Sequence, residues 1–536
     1  MAFELENFSD NFGDLDVDYL TYLLDQQSSR SEASMRRLWD YFRNELVAAS
    51  GVAADAMNAN CRPYFQAQEA GLPPRITGVR RLDGEALTDV RRKEVVIEND
   101  IAWRIHTMVD FLFGKPPTIR SLAADAELAG VIERCIAAMI DANGGVGLLQ
   151  EMALFGAVYG FVDVALRTPA DGTAAPPADH LRPAPPPAAG DESPSARRSG
   201  TSDINALRDA SRQNLAERAV LLASRLQLET VEAPRILPVL DENDYRRLRC
   251  WVQRFHKRPP RLAGRQRPWY SLGLGSRGDE PGVVEVVEII GAGWWQRYED
   301  RRLVAEGPNL LSRIPVVHVQ NIAMAGAYEG LSDVEPLIPL QDELNTRLSD
   351  RANRVTYQSF KMYLGKGIDD FLERPVGPGQ MWATQNLNAN IEEFGSDSGS
   401  PSEDAHIEQV RLAMDKVSAV TPLAAGLIRG NVGNLTSATA LKVLLSGLLA
   451  RTARKRLTYG RGLQQIAELA LDYLDKVGAL RTATADRRVE IHWPTPLPAD
   501  EGEQLRNAQM KAALGVSAER IMAELGYGRQ DSPPEA

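Results

Sequence analysis

Apolar positions first recur at helical spacing over residues 36–48, through Leu38, Trp39, Phe42, Leu46 and Val47, which predicts a helix after a polar leader. A second amphipathic pattern over about 89–113 uses Val95, Val96, Ile101, Trp103, Ile105, Met108, Val109 and Leu112. Gly114 and the Pro116-Pro117 pair end it, because proline cannot continue a helix. Residues 126–140 and 147–159 read as two more helices, and 161–167 alternates as a strand does. Residues 169–202 are dominated by Pro, Ala, Gly and Ser, which predicts an extended insertion or linker. A helix over 206–226 follows. Between 230 and 319 the period switches to two, with short strands at 236–239, 249–255, 283–290, 294–298 and 315–319, so this region is β-rich.

Beyond Met324 the pattern is mainly helical. Ser332-Asp333-Val334-Glu335 has the form of a capping box, opening a helix over 332–358 about 40 Å long. Leu337, Leu344, Leu348, Ala352 and Val355 would form its apolar stripe, while Pro336 and Pro339 weaken its first turns. A compact Gly/Pro-rich segment over 360–394 includes strand-like pieces at 361–364 and 380–384. A second capping box, Ser400-Pro401-Ser402-Glu403, opens a helix carrying Ile407, Val410, Met414 and Val417, which stops at Thr421-Pro422. A loop with Gly426, Gly430 and Gly433 leads into a helical pattern over 436–477, with bends expected at Gly447 and at Gly460-Arg461-Gly462. A strand at 488–492 and two short helices, about 500–514 and 517–525, close the chain. The class is α+β, mainly helical.

Composition sharpens this outline. The chain has 536 residues, 44% hydrophobic and 25% charged, the profile of a folded protein with about three or four compact regions. No apolar run approaches the roughly 20 residues of a membrane-spanning helix, so no membrane partner is expected. Before Arg30 the leader holds seven acids and no base, unlike a secretory signal. Cys61, Cys135 and Cys250 are widely spaced and odd in number, which fits a reducing compartment better than a disulfide framework. The net charge of −11 disfavours a protein that coats nucleic acid with its whole surface, though it allows a local basic patch.

The expected catalytic chemistry is none, with no metal and no cofactor. Gly273-Leu274-Gly275-Ser276-Arg277-Gly278 matches GxGxxG, but Pro281 and a β-branched run follow it where a dinucleotide site needs a helix. Gly114-Lys115 and Gly365-Lys366 lack the rest of a phosphate-binding loop. The six histidines are scattered without ligand spacing, and Asp369-Asp370 and Glu392-Glu393 read as solvated faces. The sharpest charge feature is the acid-free stretch 246–277. Its candidate basic patch is Arg258, Arg261, Arg265 and Arg267, interleaved with Trp251, Phe255, Trp269 and Tyr270. Two readings stay open: single-stranded nucleic acid bound by phosphate contact and stacking, or arginines paired with acids of this or a neighbouring subunit. The last two helices also resemble a helix-turn-helix without a basic recognition face.

Three runs together resemble the portal proteins of tailed double-stranded DNA bacteriophages. The first is Glu98-Asn99-Asp100-Ile101-Ala102-Trp103-Arg104 with residues 110–117. The second is Gly330-Leu331-Ser332-Asp333 with Gln341-Asp342-Glu343-Leu344-Asn345 and Ser349-Asp350-Arg351-Ala352-Asn353. The third is residues 433–442, where Ala438 stands in place of a glycine common in that family. The resemblance covers about 30–527 outside the insertion.

It implies a homododecameric ring at the capsid vertex of a virion assembled in the host cytoplasm. Double-stranded DNA would be packaged through it by terminase and later ejected, with capsid or scaffold protein and a head-tail adaptor as further partners. The implied parts are an acidic N-terminus 1–29, a wing 30–331, stem helices 332–358 and 400–420, and a clip 359–399. A tunnel loop 421–436, a long helix returning to the wing 437–498, and a crown with tail 499–536 complete them. Arg429, Asn431 and Asn434 would then be channel contacts, and Lys361, Lys366, Asp369, Asp370 and Glu373 a clip docking surface. The alternatives are another structural virion protein, such as a minor capsid or connector component, and a DNA-binding or repair protein using 246–277.

Overall fold

The computed structural model describes residues 22, 24–25, 28–48, 64–77, 94–168, 215–241, 243–244, 247–257, 283–359, 362–366, 388, 390–394, 401–426, 442–497, 501–518 and 521–522. Helix α1 runs Ser28–Arg43 and ends where Asn44 takes a positive φ of 46°. Leu46 and Val47 therefore leave the predicted helical stripe for strand β1 (Leu46–Ala48), which pairs antiparallel with β2 (Tyr64–Gln66). The predicted helix over 89–113 is shorter than expected. Residues 94–99 are extended, and α2 spans Asp100–Phe113. Strand β3 (Thr118–Ser121), α3 (Ala126–Ala142), α4 (Val146–Tyr159) and β4 (Phe161–Arg167) follow close to their predicted bounds. Asp125 caps α3 by accepting the Glu127 amide.

Of the helix predicted over 206–226, the described part is helical from 215 to 223, and 169–202 lies outside the described residues. The β-rich region contains β5 (Gln227–Val231), β6 (Ile236–Leu240), β7 (Leu248–Lys257), β8 (Val284–Ile290), β9 (Trp294–Glu299), β10 (Arg302–Pro308) and β11 (Val316–Gln320). Strand β10 was not predicted; it is a half-exposed edge strand, whose Gly307 and Pro308 read as loop signals. The helix predicted from Ser332 starts later: a 3-10 turn at Glu335–Leu337, with Val334 and not Ser332 at its N-cap and no side-chain cap, precedes α5 (Ile338–Ser359), because Pro336 and Pro339 supply no amide hydrogen. Strands β12 (Met362–Lys366) and β13 (Asn390–Phe394) form a hairpin, and the strand predicted at 380–384 lies outside the described residues. Then come α6 (Pro401–Ser418), α7 (Ser446–Lys476), β14 (Val489–His492) and α8 (Glu501–Ala513).

These elements form two compact units. The first gathers residues 1–35, 106–332 and 422–536. Its five-stranded antiparallel sheet has the order β10-β9-β8-β7-β6, and Leu237, Val239, Cys250, Val252, Val287, Ile289, Trp294 and Tyr298 make a core together with Leu24. A three-stranded sheet, β11-β4-β5, packs against α4 and α7. The helical run breaks at Leu445, beside the bend expected at Gly447, but α7 is continuous through Gly460 and Gly462, where the other bend is expected. Close approach is what they provide: a Cβ on Gly462 would stand 2.5 Å from Val319 Cγ2 on β11.

The second unit gathers residues 36–105 and 333–421. Helices α5 and α6 run antiparallel, as the pairs Arg351–Asp404, Arg354–Glu403 and Glu343–His406 require. On α6, Ile407, Val410 and Met414 are buried as predicted, but Val417, the fourth of the set, is exposed. On α5 the prediction is only partly met. Leu337 and Leu344 are buried, but Val355 is 52% exposed, and the face that lies fully inside is polar: Gln341, Asn345, Ser349 and Asn353.

Candidate functional site

The buried polar face of α5 has spacing i, i+4, i+8 and i+12, which places its side chains in one column about 6 Å apart. An extended chain repeats every two residues at about 6.6 Å. The near match lets residues 94–100 run along the helix and bond to it at alternate residues. Asn353 accepts the Glu94 amide and donates to the Glu94 carbonyl, both at 3.0 Å. The Ser349 hydroxyl accepts the Val96 amide at 3.0 Å. Asn345 Oδ1 accepts the Glu98 amide at 3.1 Å, and Gln341 accepts the Asp100 amide at 3.1 Å while donating to the Glu98 carbonyl at 2.5 Å. A strand with no strand beside it is thus satisfied by side chains, which is why 94–99 is extended and not helical.

A third layer locks this ladder. Asn345 Nδ2 donates to Gln68 Oε1 at 2.9 Å, and Gln68 Nε2 donates to the Tyr41 carbonyl at 2.7 Å and to Asn99 Oδ1 at 3.2 Å. Tyr41 donates its hydroxyl to Asp342 at 2.7 Å. Burial, and then the Asp342 carboxylate, push the Tyr41 phenol well above its usual range, and burial raises Asp342 as well. Asn99 accepts the Ala102 amide at the start of α2. One turn on, the fully buried Arg104 stacks over Trp103 at 4.2 Å and pairs with Asp100 and with Asp415 of α6. Burial raises the Asp415 carboxyl, against the lowering pull of Arg104.

The first unit is organised around Asp163 of β4, which is fully buried. It accepts Trp251 Nε1 at 2.8 Å and the Tyr328 hydroxyl at 3.1 Å, and its Oδ1 lies 2.7 Å from His318 Nδ1. The other nitrogen of His318 lies 2.8 Å from the Tyr328 carbonyl, and the two rings stack at 3.8 Å. A buried carboxylate without such donors would be costly, and here several groups share the compensation. The loop 321–331 is held by the same means, with Asn321 Nδ2 donating to the Leu331 carbonyl at 3.0 Å. The Ser332 hydroxyl donates to the Val158 carbonyl at 2.6 Å.

Most residues singled out in the sequence lie outside the described residues. These are Arg429, Asn431 and Asn434, then Lys361, Asp369, Asp370 and Glu373, then Arg258, Arg261, Arg265 and Arg267, and also the GxGxxG run 273–278. Lys366, at the end of β12, is exposed. The described part of the basic stretch follows the pairing alternative. Arg254 meets Glu285 at 2.5 Å and Lys257 meets Glu299 at 2.5 Å, both on strands of the same sheet. Trp251, with its indole N–H on Asp163 and no exposed ring, offers no stacking platform to a base.

The chain has a second acid-free cationic segment. From Ala419 to Ala467 the sequence has no acid at all, while Arg429, Lys442, Arg451, Arg454, Lys455, Arg456 and Arg461 fall within it. Its described part places Gly447, Ala450, Arg454, Leu457 and Arg461 on one exposed stripe of α7. Among the described residues, no group of three or more His, Cys, Asp and Glu could hold a metal ion, and no helix is long and apolar enough to cross a membrane.

Residues 292–527 match the family model described as "Phage portal protein, SPP1 Gp6-like". No curated protein matches the chain. Among solved structures, "Virion of native gene transfer agent (GTA) particle" is 11% identical with a TM-score of 0.37, covering 79% of this chain and 99% of that one. "Neck of empty GTA particle computed with C6 symmetry" is 11% identical with a TM-score of 0.41, covering 79% and 89%. "Neck of native GTA particle computed with C12 symmetry" is 11% identical with a TM-score of 0.38, over the same shares.

Proposed function

We infer that this chain, whose residues 292–527 match the phage portal protein family model, is the portal subunit at a capsid vertex, where it forms the channel for DNA packaging and ejection. The observation that carries this reading is the family match, which runs from β9 through α5, α6 and α7 to the C-terminal helices. The arrangement suits the task. Helices α5 and α6 form an antiparallel pair tied by the ion pairs Arg351–Asp404, Arg354–Glu403 and Glu343–His406, a strut suited to bearing load across a ring. In this reading α5 and α6 are the stem, residues 359–399 with the β12–β13 hairpin are the clip, and 421–436 the tunnel loop. The five-stranded sheet belongs to the wing and α8 to the crown. Twelve copies close the ring, and terminase and then a head-tail adaptor dock on the clip, where Lys366 is exposed. The role assigned is structural, with no covalent chemistry.

Negative-stain imaging of purified protein tests it. Rings with a central hole and twelve-fold averages are expected, whereas monomers or long tubes would overturn the portal reading in favour of another virion component.

A further inference from the structure

We propose that the stripe Arg454, Leu457 and Arg461 on α7 is a docking surface for the acidic leader of this same protein, residues 1–20. Leu457 is 75% exposed, the second most exposed of the large apolar side chains of the described residues, and sits three residues after Arg454 and four before Arg461. All three project on one side of the helix. Neither arginine has an ion-pair partner among the described residues, and no acid occurs within the surrounding stretch 419–467 to neutralise them. An exposed leucine between two unpaired arginines asks for a ligand that is both acidic and apolar.

The leader has that chemistry. Residues 1–20 contain Glu4, Glu6, Asp10, Asp14, Asp16 and Asp18, with no base, interleaved with Phe3, Phe8, Phe12, Leu15 and Tyr19. A DNA duplex would satisfy the arginines through its phosphates but has no apolar surface for Leu457. The place where the leader starts also fits. Leu24 is 2% exposed within the core of the five-stranded sheet, and its carbonyl accepts Arg254 Nη1 at 3.0 Å. That anchor and α7 belong to the same compact unit. Twenty extended residues reach up to about 66 Å. A unit of this size has a radius of gyration of about 21 Å, so the stripe lies within reach. Small residues Gly447 and Ala450 on the same exposed line let a second chain approach the helix backbone closely.

Full-length protein carrying Cys61→Ser, Phe12→Cys and Leu457→Cys tests the contact with a short bis-maleimide. Cys135 and Cys250 are buried, and burial pushes their thiols up to about 11 and about 12, so they stay silent. The control replaces Leu457→Cys by Val304→Cys, on the half-exposed edge strand. Cross-linking at position 457 is expected to exceed the control about tenfold and to vanish near 1 M NaCl, where the screening length is about 3 Å. Arg454→Glu with Arg461→Glu should abolish it, and adding Asp14→Lys with Asp16→Lys should restore it, which separates lost pairing from misfolding. Gel mobility tells whether the leader comes from the same copy or a neighbouring one, and either supports the docking. Equal yields at 457 and 304, or a cross-link indifferent to the charge reversals, would overturn it. So would the absence of a cross-link together with duplex DNA binding that needs Arg454 and Arg461 and ignores deletion of residues 1–20.

Discussion

Replacing Asn345 by Leu removes the amide at the centre of the ladder without a large change in volume. Three bonds disappear: the Glu98 amide at 3.1 Å, Gln341 Nε2 at 3.0 Å, and the Asn345 donation to Gln68 Oε1 at 2.9 Å. Gln341 keeps its bond to the Glu98 carbonyl. The Glu98 amide and Gln68 Oε1 each lose a bond, at about 1 to 3 kcal/mol for a buried polar group left unsatisfied. The leucine returns about 1 kcal/mol through apolar burial, so the net cost is about 1 to 5 kcal/mol. Because the chain has two units, a single unfolding free energy is not a defined quantity, and the effect is best read locally. Amide hydrogen exchange resolves it. At 2 kcal/mol, exchange of the Glu98 amide should rise about 30-fold. Ser349→Ala should instead expose the Val96 amide, and Gln68→Leu combined with Asn345→Leu should cost less than the sum of the two, because each removes the other's orphan. Wild-type exchange at Glu98 in Asn345→Leu, or equal acceleration of Glu98 and Val96 by Ser349→Ala, would refute the rung-by-rung account.

Two further outcomes are expected. Arg429→Glu should shorten the packaged DNA while leaving ring assembly intact, and packaged DNA of normal length would remove Arg429 from the channel. Tyr41 predicts an alkaline effect: its folded value lies above the usual value of about 10, so its contribution is complete below pH 10 and is lost as pH rises toward the folded value. The stability gap between wild type and Tyr41→Phe, read from the urea transition of the unit that holds Tyr41, should therefore close by about 1.4 kcal/mol per pH unit above pH 10, and a gap constant to pH 11 would contradict the burial of that hydroxyl.

The fold was legible where local pattern and tertiary environment agree. Strand β4 and helices α3 and α4 fall within two residues of their predicted bounds, because β4 and α4 are buried along most of their length and α3 buries one apolar face at helical spacing. Helix α5 shows the opposite case. A column of Gln, Asn, Ser and Asn at helical spacing reads as a solvent face and the leucine stripe as the buried one, yet the column is buried and the stripe is buried only in part, at Leu337 and Leu344. What inverts the reading is a partner more than 240 residues away in the chain, whose backbone needs donors and acceptors more than it needs methyl groups. The resemblance to portal proteins rested on runs that include both sides of this ladder, residues 98–104 and residues 341–353, before any packing could be assigned to them. The acid-free cationic segment 419–467 is legible in the sequence as well, beside the denser acid-free stretch at 246–277. The described arginine and lysine of that stretch that the sheet pairs, Arg254 and Lys257, meet glutamates on neighbouring strands.

A buried polar ladder holds register in a way an apolar seam would not. Sliding residues 94–100 by one position would turn the bonded amides and carbonyls away from α5 and present those of the intervening residues, Val95, Ile97 and Asn99, whose side chains now point elsewhere. Sliding by two keeps the hydrogen-bonding side but changes the rungs. Three steps of the helix column measure about 18 Å and three of the strand about 20 Å, so the gap between them varies along the ladder. The side-chain lengths vary too, from Gln341 through Asn345 to Ser349 and back to Asn353, and the short hydroxyl reaches both the amide and the carbonyl of Val96 at 3.0 and 3.2 Å. Displaced by two residues, Ser349 would face Glu98, where an asparagine is needed to reach the amide and Gln68 together. Register fixed in this way sets the residue at which the extended chain meets Gln341. It therefore sets where α2 begins, and with that the position from which Arg104, one turn later, pairs with Asp415 of α6.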